Sequence, residues 1–305
     1  MTRVLALTPA RLRALALPRP DAGGSKEDRG RVLVVGGARE TPGALILAGT
    51  AALRAGAGKL RLATAEDVAL AAAVAVPEAR VFSLPRTKAG GIAARAAGEV
   101  VRLANAVDAL LLGPGIVEED AASALARDVL AEVDGPAVVL DAGCLPSLAA
   151  DRGALHRLGG RAVVTPHAGE MAGVMGIGRD EIESDPLAVA RRAAAELGAV
   201  VALKGPDTVI AAPAGDAYRY AGGKVGLATS GSGDVLAGLV AGLLARGAEP
   251  VRAAAWGVWL HGQAGNLLAR RRGSIGFLAR ELGDEVPALL DRAGRTGRKQ
   301  EEDGE

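Results

Sequence analysis

The stretch 226–238, GLATSGSGDVLAG, holds four glycines and one aspartate, Asp234, directly before an apolar run that begins at Val235. Small residues let backbone N–H groups approach an anion, and a helix start adds partial positive charge. The layout reads as a phosphate-cradling loop opening into a buried helix. A carboxylate repels phosphate, so Asp234 makes no sense as a phosphate ligand. It reads instead as a base, placed to take a proton from a hydroxyl that attacks phosphorus.

Other residues of chemical interest stand where apolar runs end. GGARETPGA (36–44) and LLGPGI (111–116) supply glycines that either make tight turns or let a ligand lie against backbone. LDAG (140–143) puts Asp141 at the end of a strand, either to hold magnesium through water or to cap the next turn. In VVTPHAGEM (163–171), Pro166 ends a strand, and His167 and Glu170 open a helix. Glu170 suits the positive end of that helix, or pairs with His167 to bind substrate and a hydrated metal. LKGPDT (203–208) places Lys204 at a strand end, one of six lysines in an arginine-dominated chain. It is either a point charge for phosphate or a solvated lysine in a hairpin. His156 reads as surface, and His261, mid-helix in WLHGQAGN, as packing or as support for a residue of the site.

These loops need strands to carry them. Short β-branched runs lie at 31–35, 59–63, 79–84, 109–112, 137–140, 162–165, 200–203, 208–211 and 217–220. Ala/Leu-rich helical stretches lie at 43–55, 66–74, 92–105, 120–132, 180–197, 233–246, 251–271 and 275–291, with a short helix in 11–20. Alternating strands and helices give an α/β class with a mostly parallel sheet covered on both faces. The close spacing of the runs from 200 to 220 makes an antiparallel edge. Ligand loops then belong at the carboxyl ends of the strands. One domain is expected over 30–292, after an N-terminal helix and loop (1–29) and before a charged, disordered tail (293–305).

Composition narrows the function. Half of the 305 residues are hydrophobic, enough for a large core without disulfides. The single cysteine, Cys144, excludes an internal disulfide and a Cys-rich zinc site, and fits a reducing cytoplasm. Aromatics at 2% leave no stacking surface for single-stranded nucleic acid. A net charge of +1 gives no field to attract DNA or an acidic membrane. The mildly apolar start is broken by arginines and prolines, unlike a signal peptide, and no apolar run reaches membrane-spanning length.

Taken together, GGARETPGA, AALRAGAGKLRLAT, LLGPGI, VLDAG, VVTPHAGEM, LKGPDTVI, GLATSGSGDVLAG and HGQAG resemble the ADP-dependent NAD(P)H-hydrate dehydratases, in that family's order, over about residues 30–290. The resemblance implies a ribokinase-like three-layer α/β/α fold without a separate lid. It also implies a reaction: ADP phosphorylates the C6 hydroxyl of hydrated NADH or NADPH, phosphate then leaves, and NAD(P)H, AMP and phosphate result. Asp234 would be the base and a dinucleotide contact. Ala44, Gly115 and His167 would also contact the hydrated dinucleotide. Lys204, Gly205, Pro206, Asp207, Thr208 and Gly233 would bind ADP or AMP; Gly231, Ser232 and Gly233 would form the anion hole. Glu170 would order Mg2+ through water. A homotetramer in the cytoplasm, and a separate NAD(P)H-hydrate epimerase as pathway partner, follow from the same resemblance. The chain departs from the family at Thr41, Lys224, Ser230 and Asn266, positions that touch the fine contacts but neither the base nor the anion hole.

Two alternatives compete. An ATP-dependent kinase of a thiazole or pyrimidine alcohol, in the same superfamily, shares the G-x-G-D. A nucleotide-binding module without catalysis would share the glycines but gains nothing from Asp234.

Overall fold

The computed structural model describes residues 4–18, 23 and 25–295. The chain runs β1 (Leu5–Ala6), α1 (Pro9–Ala14), β2 (Arg31–Val35), α2 (Pro42–Arg54), β3 (Lys59–Ala65), α3 (Glu66–Ala75), β4 (Ala79–Leu84), α4 (Ala97–Ala104), β5 (Ala109–Leu112), α5 (Glu119–Glu132) and β6 (Ala137–Leu140). It continues α6 (Ser147–Ala150), β7 (Ala162–Val164), α7 (Ala168–Met175), α8 (Arg179–Ser184), α9 (Pro186–Leu197), β8 (Val200–Leu203), β9 (Asp207–Ala211), β10 (Ala217–Ala221), α10 (Ser232–Ala245), α11 (Pro250–Arg272) and α12 (Ala279–Arg295). The strands form one sheet in the order β1-β10-β9-β8-β7-β6-β5-β2-β3-β4. From β8 to β4 every neighbour is parallel, whereas β8–β9 and β9–β10 are antiparallel.

The sheet is buried on both faces, which is why β5 and β8 are uninterrupted apolar runs. One face packs against α2, α10, α11 and α12; the other packs against α4, α5, α7 and α9. The tightest helix contact is α2 on α10. A Cβ on Gly238 would stand 2.2 Å from the Ala48 carbonyl oxygen, and one on Gly242 would stand 2.4 Å from that of Ala52. Glycines four apart on one side of α10 therefore let the two backbones touch. This changes the meaning of the 226–238 stretch. Gly238 serves helix packing, and Gly226 makes room for the Phe277 ring, 2.4 Å from where its Cβ would be.

Strand order reverses between β2 and β5, so a crevice opens where their carboxyl ends diverge. The loops 36–44 and 113–115 flank it.

The N-terminal helix and loop pack onto the rest of the chain: Leu5 pairs with Tyr218, Leu12 is fully buried, and the Trp256 indole donates to the Leu15 carbonyl at 2.7 Å. Several expectations need correcting. The helix expected over 180–197 is two helices. Pro186 disfavours helical geometry at Asp185, whose carboxylate instead caps α9 by accepting from the Ala188 N–H at 3.0 Å. The helix expected from 92 is a 3₁₀ turn, Ala94–Ala96, followed by α4. The helix expected from 275 starts at Ala279, after Gly273 and Gly276 take positive φ. It also continues to Arg295, into the segment expected to be a disordered tail; 296–305 lie outside the described residues.

Candidate active site

Three adjacent strands deliver the charged residues. Leu140 pairs with Val164, and Val164 with Val201, so the ends of β6, β7 and β8 stand side by side. Asp141 follows β6, Thr165 follows β7 and Lys204 follows β8. The Lys204 N–H donates to the Pro166 carbonyl at 2.7 Å, which aligns the last two. The Asp141 carboxylate is buried and accepts from the Thr165 hydroxyl at 2.7 Å and from the Lys204 ammonium at 3.1 Å. Ala142, the next residue, is a non-glycine residue with φ of 47°, so the chain accepts strain while turning away from that carboxylate.

At the start of α7, His167 and Glu170 form a reciprocal cap. The Glu170 N–H donates to His167 Nδ1 at 3.1 Å, and the His167 N–H donates to Glu170 Oε2 at 2.7 Å. The same Glu170 oxygen lies 3.7 Å from Lys204 Nζ. Glu170 thus caps the helix and also faces the charged cluster. His167 is largely exposed.

Asp234 enters from the opposite element, in the first turn of α10. Gly231 caps that helix with φ of 86°, a conformation that suits glycine. Its neighbour Ser232 is committed elsewhere, with its hydroxyl 2.8 Å from His261 Nε2. Burial lowers the pKa of His261 to about 4, which keeps the ring neutral. The Ser232 hydroxyl is thus held by a neutral ring, and the Ser232 N–H already meets the Thr229 carbonyl at 3.2 Å. Gly233 brings α10 against Lys204, whose Nζ is 3.4 Å from where a Gly233 Cβ would stand.

The charges shape one another. Asp234 is pushed up to about 6, first by burial and then by repulsion from Asp141 and Glu170, with Lys204 opposing. Burial alone would weaken the hold of Lys204 on its proton. Asp141 and Glu170 overcome that, and its pKa stays above the ordinary lysine value. A carboxylate poised near neutrality beside a fixed ammonium can accept a proton and keep a nearby anion in place.

Beside the cluster lies a cavity of about 780 Å³. Its wall includes Lys204, Gly205, Pro206, Thr208, Ser232 and Gly233, together with His167. Asp207 is not on that wall; its carboxylate accepts from Arg219 Nε at 2.8 Å, across the β9–β10 pair. Ala44 and Gly115 stand apart from the cavity but next to each other. A Cβ on Gly115 would be 2.7 Å from that of Ala44, and the Thr41 hydroxyl donates to the Gly115 carbonyl at 2.7 Å. Gly231 links this side to α10, since its Cβ would meet Leu47 of α2 at 2.4 Å. Sequence reasoning missed the far wall: Tyr220, Leu227, Val258 and His261. The signal was in HGQAG. Gly262 makes room for the Tyr220 ring and Gly265 for Leu227.

Among the described residues, no three His, Cys, Asp or Glu side chains stand together as a metal cage. No helix among them is long and apolar enough to cross a membrane.

The profile of a family described as NAD(P)H-hydrate dehydratase matches residues 32–288. An ADP-dependent (S)-NAD(P)H-hydrate dehydratase of Xanthomonas campestris pv. campestris is 46% identical over 301 residues, covering 96% of this chain and 98% of that one. A bifunctional NAD(P)H-hydrate repair enzyme of Moorella thermoacetica is 43% identical, and the matched region is 52% of its length. The crystal structure of the Bacillus subtilis ADP/ATP-dependent NAD(P)H-hydrate dehydratase, co-crystallised with ATP and Mg2+, superposes with a TM-score of 0.79 at 30% identity, covering 96% of this chain and 100% of that chain. Fold, order of loops and matched extent agree: this chain belongs to the NAD(P)H-hydrate dehydratase family.

Proposed function

We propose that this enzyme dehydrates the S form of hydrated NADH or NADPH, with ADP as phosphoryl donor and AMP and phosphate as products. The observation that carries the proposal is Asp234. It is a carboxylate poised near pH 6, at the end of the helix that also borders a nucleotide-sized cavity. Hydroxide is a poor leaving group and phosphate a good one, so the reaction needs two stages. Asp234 takes the proton of the C6 hydroxyl as its oxygen attacks the β-phosphorus of ADP, and AMP departs. The C6–O bond then breaks, phosphate carries away the electron pair, and the neighbouring ring carbon gives up a proton to restore the double bond.

The cavity takes the adenine nucleotide, with Lys204, Gly205, Pro206, Thr208 and Gly233 as contacts; Asp207 acts by fixing the β9–β10 corner through Arg219. Lys204 sits where the cavity meets the acidic cluster and holds the transferring phosphoryl group. Backbone N–H groups of Gly231 and Gly233 complete the anion hole, flanking Ser232, whose N–H is turned to the Thr229 carbonyl. The hydrated dinucleotide lies over Ala44 and Gly115, at the point where strand order reverses, and reaches His167 and Asp234.

Magnesium fits as an ion carried on the nucleotide phosphates, with Glu170 in reach through water. Asp141 and Glu170 are already engaged by Lys204, which leaves no cage for a protein-held ion. When bound, the ion would neutralise phosphate charge. We place the enzyme in the cytoplasm as a homotetramer, working beside a separate NAD(P)H-hydrate epimerase.

The test mixes enzyme, Mg2+ and hydrated NADH with ADP or ATP. Recovery of reduced-nicotinamide absorbance together with AMP release is expected with ADP. Nucleotide consumption that requires a thiazole or pyrimidine alcohol, with no recovery of NADH, refutes the proposal.

A further inference from the structure

We propose that Asp141 is a positioning residue for phosphoryl transfer: it holds the Lys204 ammonium at the mouth of the nucleotide cavity, between Asp234 and Glu170. The inference rests on the reaction proposed above, and it gives a task to the one buried carboxylate of the cluster that the reaction leaves unused.

Asp141 is 1% exposed, and although it precedes the 3₁₀ turn Ala142–Cys144, its side chain makes no capping bond there. Its carboxylate accepts from two side chains that follow the next two strands, Thr165 at 2.7 Å and Lys204 at 3.1 Å. Both bonds go to the same oxygen, Oδ1. Thr165 is itself fully buried and bridges the gap between β6 and β8, so the carboxylate is fixed before it meets the ammonium. A buried ion pair placed only for stability is a poor solution, because well-packed apolar residues of the same size serve as well or better. A buried pair whose cation is still 20% exposed, and opens on a cavity, is a different arrangement: the anion is hidden and the cation is presented.

Lysine has a long, flexible stem and three rotatable donors, so it holds no direction on its own. Glu170 cannot supply one, because it is 3.7 Å away and its near oxygen is shared with the cap of α7. The Lys204 backbone is tied to Pro166, and its side chain is tied to Asp141. Together these leave one geometry for Nζ, beside Gly233 at the start of α10. Position at this point acts on the transition state, where charge shifts on the transferring group, more than on nucleotide binding, which the cavity walls govern.

The experiment is a double-mutant cycle on the full-length enzyme, assayed with ADP, Mg2+ and hydrated NADH. Asp141→Asn keeps the shape and can still accept from Thr165. It is expected to lower kcat about 10- to 100-fold while KM for ADP changes by less than about threefold. In a Lys204→Met background the same substitution is expected to change kcat by less than about twofold, because Asp141 acts through the lysine. Equal losses in both backgrounds, or full kcat with only a lower Tm, overturn the proposal. A second arm needs no turnover. The wild-type enzyme is expected to show a slowly exchanging lysine ammonium NMR signal, absent from Lys204→Met and lost in Asp141→Asn. Its persistence in Asp141→Asn also overturns the proposal. A wild-type enzyme that fails to restore NADH, yet shows this ammonium pattern, refutes the reaction and leaves the positioning intact.

Discussion

Replacing Asp234 by asparagine is expected to make the protein more stable as it makes the enzyme inactive. In an unfolded chain the carboxyl of this residue has its ordinary pKa of 3.8; in the fold, burial and two neighbouring carboxylates raise it to about 6. At 1.36 kcal/mol per pH unit, ionised Asp234 costs the native state about 3 kcal/mol at pH 7.5. The sign follows from proton binding. The folded state holds the proton more tightly, so stability is greatest when the group is protonated and falls as pH rises from about 4 to about 6. An uncharged asparagine removes this cost. The gain is therefore about 3 kcal/mol at pH 7.5, and it shrinks to about 1 kcal/mol at pH 4.5, where the native carboxyl is already mostly protonated. Urea unfolding of both proteins at the two pH values measures the difference directly. Loss of the general base should meanwhile lower turnover about 10²–10⁴-fold. A variant that is less stable at pH 7.5, or whose gain is the same at both pH values, would refute the electrostatic reading of the site.

Three further outcomes are expected. In the wild-type enzyme kcat/KM should rise with pH up to a plateau, with a midpoint near 6, as Asp234 becomes ionised; a profile that is flat from pH 5 to 8 contradicts its role as base. Glu170→Gln can keep the cap of α7 and so should leave Tm within about 2 °C, yet raise the Mg2+ concentration needed for half-maximal activity; an unchanged Mg2+ requirement removes Glu170 from the metal. Gly238→Ala would put a Cβ 2.2 Å from the Ala48 carbonyl and should cost about 1–3 kcal/mol in urea unfolding, against no measurable loss if α2 and α10 can simply part.

The strands were the most legible part of the chain. β5, β6 and β8 coincide with the apolar runs at 109–112, 137–140 and 200–203, because parallel strands buried on both faces leave no polar residue inside the run. β1 was invisible, since two residues carry no period, and only pairing with β10 defines it. The break at Asp185–Pro186 was written in the sequence as a capping aspartate before a helix-starting proline, and the apolar period on either side masked it. In the site, the glycine loops and the helix that opens at Asp234 were legible because each signal is local. Asp141 could not, since the difference between a cap and a buried counter-ion depends on which strands are neighbours. The far wall of the cavity comes from β10 and α11, elements whose meeting no single segment announces.

The backbone contact between α2 and α10 bears on more than packing. α2 begins at the loop proposed to receive the dinucleotide, and α10 begins at the proposed base, Asp234. Where Ala48 and Ala52 are seated against Gly238 and Gly242, the two backbones meet with no side chain between them that could slide or repack. The acceptor loop and its base thus form a single rigid part, assembled once when the chain folds. The entropy of bringing them together is met in folding and not again at each turnover. On the proposed assignment, neither substrate has to build the other's half of the site.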